Sequence, residues 1–133
     1  PFAYRRPDSI LGDHVKVGYF VEVKNSTIGN GSKASHLTYV GDSDIGEDVN
    51  LGCGVVFVNY DGRNKHRSVV KDGSFVGCNV NIVSPVVVEE DAYVAAGTTV
   101  THDVPKGALC VGRAKEKNIE GWVARRGLLK KNK

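Results

Sequence analysis

His36 is the side chain in this sequence best placed to move a proton. An imidazole of unperturbed pKa near 6.5 gains and loses one around neutral pH. Tyr19, His36, Cys53, Cys78 and Ala96 occupy equivalent stations of a repeat, so a solenoid stacks them in one column. With coils roughly 4.8 Å apart, three small residues follow His36 over about 14 Å. Such a track accepts a thin, extended ligand, with a base waiting at one end. Tyr39 and Asn50 belong to the same neighbourhood. On these residues alone, His36 could equally be an exposed turn histidine.

A six-residue period positions the column. Val70, Val76, Ile82, Val88, Val94 and Val100 recur at that interval, and Ser74, Val80, Val86, Ala92, Thr98 and Val104 follow four residues behind them. A helix needs a period near 3.6 and a lone strand needs 2, so the pattern marks a hexapeptide-repeat β-solenoid. Residues two apart on a strand share a face, so both series point inward. Leu11, Val17 and Val23, then Ile28, Ala34 and Val40, then Ile45, Leu51 and Phe57, continue the pattern upstream. Five coils are predicted, beginning at Leu11, Ile28, Ile45, Val70 and Val88. Gly12, Gly18, Gly29, Gly41, Gly46, Gly52 and Gly77 each follow a repeat residue. A corner with positive φ would explain them.

The step from Phe57 to Val70 is seven residues too long. A polar loop, NYDGRNKHRS from Asn59 to Ser68, must leave the body there. Loops on rigid scaffolds often carry function, although a tolerated surface insertion is the plain alternative.

Composition narrows the classes. The chain has 133 residues, 41% of them hydrophobic, with no apolar run near the 18 residues that a membrane helix requires. Cys53, Cys78 and Cys110 make no disulfide framework, which fits a reducing compartment, the cytoplasm. His14, His36, His66 and His102 share no close ligand spacing, so no metal site is expected. Methionine is absent even at position 1, so a fragment lacking earlier coils is expected. From Arg113 to Lys133, eight basic and two acidic residues give +6, leaving −3 for the body of a chain of net +3. The two parts are therefore read as a 1–112 solenoid and a 113–133 basic tail. A basic tail can meet an anion or stay solvated, but without interleaved aromatics it is not expected to bind nucleic acid.

Several segments together resemble a known family. HLTYVGD (36–42), VNLGCG (49–54) and NYDGRNK (59–65) carry the likeness, with YRRP (4–7), GYFVEVK (18–24), AAGTTV (95–100), VGR (111–113) and EGW (120–122). In this order they resemble the C-terminal domain of the bacterial bifunctional N-acetylglucosamine-1-phosphate uridyltransferase/glucosamine-1-phosphate N-acetyltransferase. The resemblance implies a left-handed parallel β-helix, a homotrimer with sites between subunits, and acetyl transfer from acetyl-CoA to glucosamine 1-phosphate. It implies His36 as general base, and Arg6, Lys24, Tyr39, Asn50 and Lys65 around the amino-sugar phosphate. Cys53, Asn59, Tyr60, Cys78, Ala96 and Arg113 match acetyl-CoA positions. Many relatives carry alanine and serine where Cys53 and Cys78 stand, so small volume is kept while a hydroxyl is lost. A thiol could instead serve as an acylated nucleophile, but direct attack by the amine needs none. Mg²⁺ is expected only for the uridyltransferase domain, whose glycine-rich nucleotide loop has no counterpart here. A different hexapeptide-repeat acyltransferase, or a trimerisation module with incomplete catalytic parts, remains an alternative.

Overall fold

The period builds a three-sided coil. The computed structural model describes residues 3–130. Among them, short parallel strands form sheets of six, five and six strands, the faces of a left-handed parallel β-helix. Leu11, Ile28, Ile45, Val70 and Val88 pair in series across one face, at the five predicted coil starts. Val17, Ala34, Leu51, Val76 and Val94 pair likewise across the next. The third face includes the strands Tyr4–Arg5, Glu22–Lys24, Tyr39–Gly41 and Val56–Val58.

Five coils prove to be an undercount. Tyr4–Arg5 stacks ahead of Glu22 and Val23, and Leu109–Cys110 stacks behind Tyr93 and Val94. Arg5 is polar, so it escapes a hydrophobic period. At the other end Val88 faces Val104 and Val94 faces Cys110, sixteen residues on, whereas eighteen separate Val70 from Val88. The final coil is shorter, so the period slips.

Both inward series are buried, and Phe57 and Ile82 are the largest side chains fully enclosed. Buried serines line the corner between the third face and the first. Ser26 Oγ donates to the Lys24 carbonyl at 2.7 Å and accepts from the Ser43 amide at 3.0 Å. Ser68 Oγ donates to Ser84 Oγ at 2.6 Å. These bonds remove most of the cost of burying hydroxyls.

The glycine expectation needs correction. None of the seven glycines that follow repeat residues has positive φ. Six are small because the next coil lies against them, and Gly41 because the Tyr39 side chain covers it. A Cβ on Gly52 would stand 2.7 Å from the Cys78 amide nitrogen, and one on Gly77 2.6 Å from that of Ala96. The left-handed stations fall elsewhere, and Asp8, Asn25 and Asp42 hold three in one corner column, with φ of 66°, 45° and 48°. Asparagine and aspartate tolerate that region better than most residues.

The predicted loop is present, one residue shorter than expected. Ser68 is buried and opens the strand Ser68–Val70. The excursion folds on itself through an antiparallel bridge from Tyr60 to Lys65. Asp61 Oδ1 accepts from the Arg63 and Asn64 amides at 2.8 and 2.6 Å, and Asp61 Oδ2 meets His66 Nε2 at 2.7 Å. Arg67 ties the loop down with a two-pronged bond to Asp44 at 2.9 and 2.6 Å. Beyond the solenoid, the helix Trp122–Arg125 buries no side chain on its own chain. No helix among the described residues is long and apolar enough to cross a membrane.

Candidate active site

The predicted column exists. His36 ends the strand Lys33–His36 and pairs in register with Tyr19. The Gly52 amide donates to the Val76 carbonyl at 2.8 Å and the Asn79 amide to the Cys53 carbonyl at 2.8 Å. Those two bonds set Cys53 opposite Cys78. The Gly77 amide donates to the Val94 carbonyl and the Gly97 amide to the Cys78 carbonyl, each at 2.9 Å, so Ala96 follows. His36, Cys78 and Ala96 are exposed and Cys53 is half-buried, with all four on one outer corner. Arg113 Nη1 donates to the Ala96 carbonyl at 2.6 Å, which brings the start of the tail to the far end of the column. The outward track is narrow, floored by small residues and closed by a guanidinium, a shape and charge suited to an extended ligand with phosphates.

A second group gathers at the corner carrying Asp42. The Arg6 amide donates to the Val23 carbonyl at 2.7 Å, which stations Arg6 beside Lys24, and Lys24 in turn pairs with Gly41. The loop brings Lys65 to Lys24. The hydrogen bond and positive charge of Lys24 push the Lys65 ammonium below the ordinary lysine value, aided by lost hydration and by Arg6. Lys24 is raised, first by its hydrogen bond with Lys65 and further by Asp42 and Tyr39, against the lowering effect of burial. Three cations in one place, one of them held below its normal basicity, form a site that an anion would relax.

Asp42 lies beneath this group, 6% exposed. It accepts from Asn25 Nδ2 at 2.8 Å and Asn59 Nδ2 at 2.7 Å, and stands 3.6 Å from Lys24 Nζ. Burial alone would raise its carboxyl. The two amide donors and the Lys24 and Lys65 charges outweigh that and hold it below the usual carboxylate range. Asn59 Nδ2 also donates to Tyr39 Oη at 3.2 Å.

Of the remaining candidates, Asn50 stands apart within one chain and Tyr60 lies in the loop, bridged to Lys65. Asn50 lies on the face leading to the Cys53 corner, paired with Lys33 and Phe75. Tyr60 Oη donates to the Gly62 carbonyl at 2.8 Å, inside the loop. Sequence reasoning gave no role to Asp42 or Asn25. Their signal is an Asx residue at matching stations of successive coils, which has meaning only once the coils are stacked.

The fold and this pairing of a basic corner with an exposed small-residue column define a class, the left-handed β-helix acyltransferases built on hexapeptide repeats. GDP-perosamine N-acetyltransferase from Caulobacter crescentus, solved with CoA and GDP-perosamine, superposes with a TM-score of 0.75 at 25% identity. That match covers 84% of this chain and 51% of the other. The acetyltransferase domain of PglB from Neisseria gonorrhoeae, solved with acetyl coenzyme A, shares the fold with a TM-score of 0.75 at 19% identity, over 84% of this chain and 52% of that one. No family model matches the chain. The bifunctional protein GlmU of Alkaliphilus metalliredigens is 60% identical over 131 residues, 98% of this chain and 29% of that protein. That of Clostridium perfringens is 59% identical over 128 residues, 96% of this chain and 28% of the relative. Nearly the whole chain therefore matches the C-terminal acetyltransferase region of GlmU proteins. It spans less than a third of the length of these relatives.

Proposed function

We propose that this chain transfers an acetyl group from acetyl-CoA to the amine of glucosamine 1-phosphate, giving N-acetylglucosamine 1-phosphate for UDP-N-acetylglucosamine and cell-wall synthesis. The observation that carries this reading is the meeting of Arg6, Lys24 and Lys65 at one end of the face whose other end is the His36 corner. Acetyl-CoA supplies an activated acetyl thioester, which the amine attacks to form an amide and release the CoA thiol. His36 takes up the proton that the amine sheds. Arg6, Lys24 and Lys65 hold the sugar phosphate, the guanidinium as a fork and the ammonium groups as point charges. Tyr39 and Asn50 orient the sugar. The small column of Cys53, Cys78 and Ala96 leaves room for the cofactor arm, with Asn59, Tyr60 and Arg113 lining its course.

The working unit in this reading is a homotrimer. Two features support it: Asn50 stands apart from the basic corner in one chain, and the tail helix buries nothing on its own subunit. The three unpaired thiols suit a cytoplasmic enzyme. A uridyltransferase activity using Mg²⁺ would belong to a further domain of a longer parent protein.

The test is thiol release from acetyl-CoA with this chain. Release with glucosamine 1-phosphate is expected. No release at any concentration of amino sugar would favour a binding or trimerisation module. Turnover of a hydroxyl acceptor alone would assign the chain to another acyltransferase.

A further inference from the structure

We propose that Asp42 is a positioning residue for the acceptor phosphate, holding Lys24 and Lys65 in place and joining them to the loop and to Tyr39. The inference rests on the acetyl-transfer reading above.

Asp42 turns the corner with φ of 48°, and its carboxylate meets the loop root through Asn59. Its two oxygens divide their work. Oδ1 accepts from Asn25, one coil earlier, and Oδ2 faces Lys24 and accepts from Asn59, where the loop begins. Asn59 uses the same Nδ2 to reach Tyr39. One carboxylate thus links two adjacent coils, the loop root and the tyrosine of the acceptor side. Nearly full burial makes such bonds strong and their loss costly.

The neighbouring charges leave the two lysines dependent on Asp42. Arg6 pairs with Glu22 at 3.4 Å, His66 with Asp61 at 2.7 Å and Arg67 with Asp44 at 2.6 Å. Tyr39 is the other titratable group facing the corner, and it also favours the charged form of Lys24. Asp42 supports the ammonium form of both Lys24 and Lys65. Removing its charge must therefore move both lysines toward deprotonation at lower pH. Asparagine suits the test because it tolerates the same backbone conformation and nearly matches the shape.

The experiment is steady-state acetyl transfer by Asp42→Asn and wild type from about pH 6 to about pH 11, past the ordinary lysine value. The expected result is a KM for glucosamine 1-phosphate raised about tenfold or more, with a smaller change in KM for acetyl-CoA. The alkaline limb of kcat/KM should move to lower pH, because Asp42 favours the charged form of both lysines. Asn25→Ala, which removes one donor from Oδ1 and keeps the carboxylate, should raise the same KM by a smaller factor without moving that limb. It also serves as the second variant if Asp42→Asn fails to fold. An unchanged acceptor KM in either folded variant would overturn the inference, as would an unmoved alkaline limb in a folded Asp42→Asn. Wild-type enzyme that does not acetylate glucosamine 1-phosphate would instead overturn the acetyl-transfer reading itself.

Discussion

His36 and Asp42 do opposite kinds of work at the residue scale. His36 is exposed at the end of a strand, whereas Asp42 is buried and fully engaged. Replacing His36 by alanine is expected to lower turnover on the order of 10²–10⁴, the usual worth of a positioned general base. The variant should keep its circular dichroism and melting profile, because the side chain packs against no core. Unchanged turnover in that variant would remove His36 as the base. His36 was legible in the sequence because its type announces its chemistry and the period supplies its neighbours. Asp42 was not, although it closes the HLTYVGD segment. Its role arises from Asn25 and Asn59, each 17 residues away along the chain, and only the stacked corner brings them to one carboxylate.

At the scale of the element, the coils are allowed to approach closely by glycine in one place and are tied together by hydroxyls in another. Gly77 has the Ala96 backbone directly above it. Gly77→Ala should destabilise the protein by about 1–3 kcal/mol through overpacking, read as a lower midpoint of urea unfolding. It should also weaken acetyl-CoA binding, because the displaced backbone belongs to the track. A midpoint equal to wild type would mean that the coils yield without strain. The position of these glycines was plain in the sequence, but the reason was not. A glycine required for left-handed φ and one required for close approach look identical as letters, and here the second cause operates. The loop boundary at Ser68 slipped for a similar reason, since serine reads as surface and is here an inward, hydrogen-bonded strand residue.

The whole molecule shows surface that one chain leaves uncovered. Phe75 and Tyr93 stack at 4.6 Å between ring centres on an outer face. Ile119, Trp122, Val123, Leu128 and Leu129 of the tail are exposed together. Exposed apolar residues in that number are usual at contacts between subunits. Sedimentation beside the activity assay should therefore find activity in a trimer, and dilution that dissociates it should abolish turnover. A fully active monomer would refute the shared site. The solenoid itself was readable from the period, since each coil repeats the same inward stations. Assembly was not, because tail residues without a six-residue rhythm say nothing of what they touch.

The in-register stacking gives the gene an unusual freedom. Val70 and Val88 hold the same station one coil apart. Excising the codons for residues 71–88 would join two equivalent corners and bring Ala96 against Cys53, with the inward pattern intact. Duplicating the same block would instead lengthen the track by one coil, roughly 4.8 Å. The reach of the cofactor site can therefore be inherited in discrete steps, altered by recombination between neighbouring repeats without passing through an unfolded intermediate sequence.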